Sequence, residues 1–212
     1  MVAKPNQQNT NNVKNIVFAS SSSVYGNREK GPFKETDDTD HPISPYAATK
    51  KADELFLYVY HNLYKFNTMI LRFFTVYGPR QREDLAISKF VKAILEDDTI
   101  QMYGDGTTFR DYTYVDDIVD GIQKSINYLQ DKNDVYEILN IGESTPIMLK
   151  DMIKTIENKI GKKAKIEQLP MQAGDVNITY ANIEKAKKLI GYQPKVSFED
   201  GIEKFVKWFK DN

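Results

Sequence analysis

Two short stretches of the chain are apolar at nearly every position rather than at alternate positions. They cover residues 15–19 and 68–74, and such runs are typical of parallel strands that are buried on both faces. Between them, Ser44 and Pro45 form a helix start, because serine caps a first turn well and proline suits the first helical position. We therefore predict a helix from about residue 46 to about residue 64 between two buried strands.

The rest of the chain continues this alternation. Apolar residues at intervals of three and four predict further helices, and short apolar runs predict further strands. The predicted helices cover residues 85–96, 147–160, 182–191 and 198–209, and a further helix is predicted to begin at a cap on Asp116 or Asp117 and to end at about residue 129. The predicted strands cover residues 100–103, 136–141 and 164–169. Residues 31–45 contain three prolines and are predicted to be a surface loop. The alternation predicts an α/β fold.

Composition narrows the function classes. The 212 residues carry a net charge of −1, which gives no electrostatic reason to expect a nucleic-acid partner. The chain has no cysteine, and His41 and His61 lack partner ligands at metal spacing, so no metal site is predicted. No apolar run is long enough for a membrane span, and residues 1–14 are predicted to be a disordered lead-in without a signal peptide. We expect a cytoplasmic protein.

Candidate chemistry lies at the end of the first predicted strand and on the helix that follows it. Four serines, Ser20 to Ser23, leave the strand where α/β proteins place their ligands. Tyr46 and Lys50 are four residues apart and share one helix face. A nearby ammonium favours a phenolate, so the pair can act as a general base. Taken alone, the serine run is as typical of a flexible loop as of a binding site. The Tyr/Lys pair taken alone is typical of an amphipathic helix with a surface lysine.

The order of several motifs resembles the extended short-chain dehydrogenase/reductase family of NAD-dependent epimerases and dehydratases. The motifs are SSSVYG at 21–26, YAATK at 46–50, LRFFTVYGP at 71–79, YGDG at 103–106 and RDYTYVDD at 110–117. The resemblance covers nearly the whole chain. It implies the C-terminal part of a Rossmann-like parallel sheet plus a smaller α/β substrate-binding lobe. The first part would cover residues 15–80, and residues 81–212 would form most of the lobe, with some segments returning to the sheet.

The resemblance also implies roles for individual residues. The implied catalytic residues are Ser21, Tyr46 and Lys50. The implied substrate-binding residues are Ser22, Ser23, Thr75, Arg82, Tyr103, Arg110 and Asp175, with Met102 close to the base. The implied contacts to NAD come from Tyr46, Lys50, Phe73 and Phe74.

Finer details resemble the UDP-glucuronate 4-epimerases. They are FFTVYGPRQR at 73–82 and PMQAGD at 170–175. In that group an arginine at the position of Arg82 pairs with the sugar carboxylate, which suits a guanidinium. The implied reaction begins with proton removal from the sugar C4 hydroxyl by Tyr46 and passes through a 4-keto sugar. Other UDP-sugar epimerases and dehydratases remain alternatives, although Ser22 and Ser23 stand where dehydratases typically carry Asp-Glu.

One family motif is missing from the sequence. No Gly-x-x-Gly-x-x-Gly loop occurs anywhere in the chain, and such a loop normally binds the dinucleotide pyrophosphate. We therefore expect an N-terminally truncated chain that is inactive alone, and a non-catalytic remnant that binds UDP-sugar or a partner stays open. The resemblance implies a homodimer, and truncation implies self-association through the exposed edge of the first strand.

Overall fold

Three parallel strands form the sheet that carries the predicted serine, tyrosine and lysine residues. The structure is a computed structural model that describes residues 13–28, 30–171 and 176–212. The strands lie in the order β1-β2-β6, and both neighbouring pairs are parallel. Their bounds are Asn15–Ser21 for β1, Asn67–Phe73 for β2 and Tyr136–Ile141 for β6. The predicted lead-in lies outside the described residues for positions 1–12, and the structure places Val13 and Lys14 just before β1.

Among the described residues, two further sheets and five more helices complete the fold. A second sheet contains β3 (Thr75–Tyr77), β5 (Phe109–Tyr114), β7 (Pro146–Met148) and β9 (Ile178–Thr179). A third pairs β4 (Thr99–Tyr103) with β8 (Lys165–Leu169). After α1 (Pro45–Tyr64), the helices are α2 (Ala86–Glu96), α3 (Val115–Gln130), α4 (Leu149–Ile160), α5 (Glu184–Ile190) and α6 (Phe198–Asp211). The α/β class and the parallel Rossmann-like sheet are confirmed.

The apolar side chains gather in two separate clusters. One packs around the β1-β2-β6 sheet and includes Leu71, Leu139 and Tyr192. The other is built from α2, α4, α6 and β5 and includes Val91, Ile153 and Phe205. Residues from β6, α3 and α5 therefore return late in the chain to the core of the first sheet.

Helix α1 begins as predicted. The Ser44 Oγ accepts a hydrogen bond from the Ala47 N–H at 3.1 Å, and Pro45 occupies the first turn. Only Ala47, Glu54 and His61 are buried on this helix, and their spacing of seven places them in one stripe against the sheet. The opposite side of α1 exposes an apolar strip, which we define as Leu55, Phe56, Val59 and Leu63. Among the described residues, β1 pairs only with β2, so its outer edge is open.

The predicted cap of helix α3 is wrong. Neither Asp116 nor Asp117 caps α3, whose cap position is Tyr114. The Asp117 carboxylate is buried instead and accepts hydrogen bonds from the Lys195 and Val196 N–H groups at 2.9 and 3.0 Å. It satisfies backbone donors of a distant loop, because the helix packs against that loop.

The helix predicted from residue 147 begins later, and the loop predicted for residues 31–45 is partly buried. Residues 146–148 form β7, which pairs antiparallel with β5, and α4 begins only at Leu149. Phe33 is fully buried, and its N–H donates to the Tyr180 carbonyl oxygen at 2.9 Å. In both segments a strand partner from elsewhere in the chain overrides the local pattern.

Candidate active site

A cavity of about 400 Å³ opens where β1 ends and β2 leads into β3. Four of the residues predicted to bind substrate line it together. The cavity is lined by Ser22, Ser23, Gly26, Ile43, Ser44, Thr75, Arg110, Val176 and Thr179. This location, at the carboxyl ends of parallel strands, is where open α/β sheets bind their ligands.

Residues 21–26, which we call the serine loop, form one wall of the cavity. Ser21 ends β1, and its Oγ accepts hydrogen bonds from the Ser23 N–H at 3.1 Å and from the Ser23 Oγ at 2.9 Å. The loop makes a 3₁₀ turn and ends at Gly26, which has φ of 65°. A Cβ at Gly26 would lie 2.4 Å from the His41 carbonyl oxygen, so only glycine fits there. The turn directs the loop along the cavity rather than leaving it flexible.

Tyr46 and Lys50 lie in the first turns of α1, beside the cavity wall at Ser44. The Lys50 ammonium is 5.9 Å from the Tyr46 ring centroid and 5.0 Å from that of Phe18. Its Nζ donates to the Ala19 carbonyl oxygen at 3.1 Å. The Tyr46 side chain is exposed. The lysine is thus held between the tyrosine and the end of β1.

The two phenylalanines predicted to contact NAD occupy different environments. Phe73 ends β2 opposite Ser21 in the register of the sheet. Phe74 is buried, with its ring centroid 6.3 Å from those of Tyr25 and Phe33. Phe74 is therefore a core residue that supports the serine loop from below, and Phe73 stands at the strand end itself.

Arg110 reaches the cavity from β5, whereas the other predicted arginine does not line it. The Arg110 Nη1 donates to the Phe109 carbonyl oxygen at 2.9 Å. Arg82 lies on the exposed segment before α2, and its Nε donates to the Asp84 Oδ1 at 2.9 Å. This ion pair raises the pKa of Arg82, through the side-chain hydrogen bond first and the charge of Asp84 second, and it lowers the pKa of Asp84 chiefly through the same hydrogen bond.

The residues predicted near the base are also apart from this cavity. Tyr103 lines a second cavity with Lys89, Gln101 and Glu167 along β4. Met102 is buried in the core of the lobe. Asp175 lies outside the described residues. The structure therefore brings Ser22, Ser23, Thr75 and Arg110 together around one cavity. Arg82 and Tyr103 lie outside that cavity.

The residues present suit only part of an NAD site. The Lys50 ammonium has three donors, and beside Tyr46 it is placed to hold a ribose hydroxyl as well as the Ala19 carbonyl oxygen. The resemblance assigns Tyr46 and Lys50 to the nicotinamide end of NAD, and the described residues contain no Gly-x-x-Gly-x-x-Gly loop for the pyrophosphate.

Sequence reasoning missed several buried polar residues around the site. Glu54, Arg72, Asp111 and Asn140 are all buried. The Asp111 carboxylate accepts hydrogen bonds from the Glu143, Ser144 and Ala181 N–H groups, next to Arg110 on β5. Of these four residues, only Glu54 has a position in the sequence that points to the site. It follows Lys50 by four residues, which is also the spacing between Tyr46 and Lys50.

Glu143 is a carboxyl group whose titration the structure shifts. Its Oε2 is buried without a hydrogen-bond partner among the described residues. Burial, together with the charges of Asp117 and Asp111, raises the pKa of Glu143 to about 7. The folded chain therefore binds this proton more tightly than the unfolded chain, and stability falls as the pH rises from about 4.5 to about 7.

Glu143→Gln should remove this pH dependence. We expect the variant to exceed the native protein in free energy of unfolding by about 1–2 kcal/mol at pH 8, after allowance for the half-exposed side chain. The gain should shrink at pH 5, because the native carboxyl is then protonated in the folded state. Urea unfolding at both pH values measures this, with Glu96→Gln on the exposed end of α2 as control. A gain that does not change with pH would contradict the assignment.

The parallel sheet, the serine loop and the Tyr/Lys helix together define an α/β protein of the epimerase and dehydratase type. A family model described as GDP-mannose 4,6 dehydratase matches residues 3–205, and the chain belongs to this family. Among the described residues, no helix has both the length and the apolarity that crossing a membrane requires.

Relatives and solved structures give the same family. The chain is 46% identical over 200-odd residues to the UDP-glucuronate 4-epimerase of Thermodesulfobacterium geofontis, covering 94% of this chain and 60% of the relative. It is 42% identical to protein CapI of Staphylococcus aureus, covering 93% and 64%. A UDP-glucuronic acid 4-epimerase from Bacillus cereus, solved with UDP-glucuronic acid and NAD, superposes with a TM-score of 0.87 at 38% identity, covering 93% and 62%. The chain thus spans less than two thirds of these relatives.

Proposed function

We propose that this chain supplies the sugar-nucleotide-binding part, and the serine, tyrosine and lysine groups, of an NAD-dependent UDP-sugar 4-epimerase that acts on UDP-glucuronate. The observation that carries the proposal is the cavity in which Ser22, Ser23 and Thr75 face Arg110. Hydroxyl groups suit a sugar, and a guanidinium suits a diphosphate. Relatives at 46% and 38% identity are UDP-glucuronate 4-epimerases, which supports this substrate.

Each residue then has a chemical task. Ser21 hydrogen-bonds the reacting hydroxyl, Tyr46 removes its proton as general base, and Lys50 stabilises the resulting phenolate. NAD, when bound, supplies the oxidising and reducing chemistry at C4 by accepting and returning a hydride. Arg110 and Asp175 hold the nucleotide while the sugar turns over. Phe73, at the end of β2, would contact the nicotinamide.

A non-catalytic function is the second candidate, because the sequence lacks the glycine-rich loop. In that case the chain would bind UDP-sugar through the same cavity without turning it over. Both candidates predict that UDP-sugar binds, but only the enzyme predicts turnover of the bound sugar, which needs NAD. In either case, residues 15–80 would carry the serine, tyrosine and lysine groups, and residues 81–212 would form most of the substrate-binding lobe.

Isothermal calorimetry with separate ligands tests the proposal. The chain alone should bind UDP and UDP-glucuronate and should retain no NAD. Arg82→Ala should weaken the binding of UDP-glucuronate more than that of UDP-glucose, because only UDP-glucuronate carries a sugar carboxylate that a guanidinium can bind. For this, the sugar carboxylate has to replace Asp84 as partner of Arg82. Arg80→Ala, in the same exposed segment, is the control.

Each outcome of the calorimetry tests a different part of this proposal. Equal loss for both sugars would remove Arg82 from carboxylate recognition and leave a general UDP-sugar site. No binding of either UDP or UDP-glucuronate would contradict the site itself. Stoichiometric NAD in the purified chain would show that the dinucleotide is held by residues other than the glycine-rich loop.

We further propose that two copies of the chain associate through the apolar strip of α1, with self-association through the open edge of β1 as the alternative. Phe56 and Leu63 are each 64% exposed, and the strip has the three- and four-residue spacing of helix-to-helix packing. Lone exposed apolar residues are ordinary, but a continuous strip favours an interface. No charged side chain interrupts the strip, so a second copy of the same helix fits it.

The double substitution Phe56→Glu and Leu63→Glu should therefore convert a dimer into a monomer. Light scattering after size-exclusion chromatography gives the mass directly. Ile126→Glu, at an apolar residue of α3 that is 46% exposed, is the matched control and should leave the dimer intact. A native chain that is monomeric at all concentrations would rule out this interface.

A further inference from the structure

A buried ion pair joins the helix of Tyr46 to the middle strand of the sheet. Glu54 on α1 and Arg72 on β2 are each 2% exposed. The Arg72 Nε donates to the Glu54 Oε1 at 2.9 Å, and the Arg72 Nη2 donates to the Glu54 Oε2 at 2.7 Å. Such a two-bond contact fixes orientation as well as distance.

The same pair holds both ends of the serine loop. On the entering side, the Ser20 Oγ donates to the Glu54 Oε1 at 2.6 Å. On the leaving side, the Arg72 guanidinium lies over the Tyr25 ring at 4.9 Å. The Tyr25 hydroxyl then donates to the Asn140 Oδ1 at 2.7 Å. Ser20, Arg72 and Asn140 face one another across the three strands of the sheet.

Stability does not account for this arrangement. Burying two charges costs several kcal/mol, and apolar side chains of similar volume are often as stable in the same place. In addition, the Arg72 Nη1 is buried without an acceptor among the described residues, which is a further cost. What the pair supplies is geometry, because Glu54 belongs to the helix of Tyr46 and Lys50, while Ser20 precedes the serine loop and Tyr25 lies near its end.

We infer that Glu54 and Arg72 are positioning residues that set the serine loop against Tyr46 and Lys50. The helix face that carries Tyr46 and Lys50 carries Glu54 one further turn along, so the ion pair fixes the rotation of α1 on the sheet. The hydrogen bond to Ser20 and the stacking on Tyr25 transmit that position to Ser21, Ser22 and Ser23. Burial raises the pKa of Tyr25 to about 12, so its hydroxyl stays a donor to Asn140.

Amide hydrogen exchange on the 212-residue chain tests the positioning role without any ligand. The apolar replacement Glu54→Leu with Arg72→Met should speed the exchange of the Ser23 and Gly26 amides about tenfold or more, because their hydrogen bonds belong to the loop. Amides of α6, in the other core, are the internal reference and should not change. Unchanged protection of the serine loop would overturn the inference.

A milder variant decides the question if the double replacement does not fold. Ser20→Ala removes one tie and leaves the ion pair intact, and it should speed exchange in the loop several-fold. Ser125→Ala removes a buried hydroxyl of α3, which donates to the Gly121 carbonyl oxygen at 2.8 Å and makes no hydrogen bond to the serine loop, and should leave the loop protected. Equal effects of the two serine substitutions would also overturn the inference.

A binding measurement extends the test and rests on the proposed function. In Ser20→Ala, the affinity for UDP should be unchanged, while the additional affinity of UDP-glucuronate over UDP should fall several-fold, since the serine loop would contact only the sugar. A fall in both affinities by the same factor would contradict a role confined to the loop. A native chain that binds neither ligand would refute the proposed function, and the exchange data would still decide the positioning role.

Discussion

Tyr46→Phe should lower the turnover of UDP-glucuronate by about 10²–10⁴-fold when this segment is part of a full-length protein with a complete NAD site. The substitution removes one hydroxyl and leaves the ring beside Lys50, whose ammonium lies 5.9 Å from the ring centroid. A phenylalanine cannot accept the proton of the C4 hydroxyl. Because the side chain is exposed, the free energy of unfolding should hardly change.

Steady-state kinetics with purified protein measure this effect, and the helix offers a control. Tyr60 lies on the same helix, is exposed, and packs on Tyr64 with ring centroids 5.5 Å apart. Tyr60→Phe should keep its turnover. A Tyr46→Phe protein with nearly native turnover would take Tyr46 out of the mechanism, and the lysine would then have no phenolate to stabilise.

Asp111→Ala should destabilise the chain by about 3–5 kcal/mol, which is a large part of the stability of a domain. The Asp111 side chain is fully buried. Its Oδ1 accepts from the Glu143 N–H at 2.8 Å, and its Oδ2 accepts from the Ser144 and Ala181 N–H groups at 3.0 and 2.9 Å. Alanine would remove the acceptor of these three N–H groups, of which the Ala181 N–H is buried and the other two are partly buried, and each group that stays without a partner costs about 1–3 kcal/mol.

Urea unfolding at pH 7 measures the loss. Asp116→Ala, at an exposed carboxylate in the first turn of α3, should change the free energy of unfolding by less than about 0.5 kcal/mol. Asp111→Asn, which keeps one acceptor oxygen, should fall between the two. A small loss for Asp111→Ala would mean that the three N–H groups find water or other acceptors, and that the turn after β6 does not depend on this carboxylate.

The position of Asp111 links stability to the proposed site. It directly follows Arg110 on β5, and the segments that it ties lie after β6 and before α5. The strand that presents Arg110 to the cavity is therefore held by a carboxylate that points into the core. A partial loss of nucleotide affinity should accompany the loss of stability.

Local signals in the sequence were sufficient for the elements around the serine loop. The apolar run at residues 15–19 lies within β1, the run at 68–74 overlaps β2 and extends one residue past its end, and Ser44 with Pro45 begins α1. These features depend on neighbouring residues in the chain, since capping and apolar runs are local. The motifs for the family are also local strings of residues, and the family assignment from them is confirmed.

Elements whose pairing comes from distant segments could not be predicted in the same way. The strands β3, β5, β7 and β9 are short, and β7 lies where a helical pattern had been predicted to begin. A strand of three residues is stabilised by its partners rather than by its own sequence. Asp117 has the sequence position of a helix cap, and only the approach of residues 195–196 makes it a buried acceptor.

The sequence by itself determined which residue types were available for sugar and phosphate binding, because serine, tyrosine, lysine and arginine have their chemistry wherever they lie. Tertiary structure decided which of them meet. It brought Thr75 and Arg110 to the cavity of Ser22 and Ser23 and left Arg82 on an exposed ion pair. It also buried Glu54, which looks like a surface residue in the sequence, against Arg72 of the apolar run at 68–74. Whether a charge is buried depends on the groups that pack around it, and those groups come from distant parts of the chain.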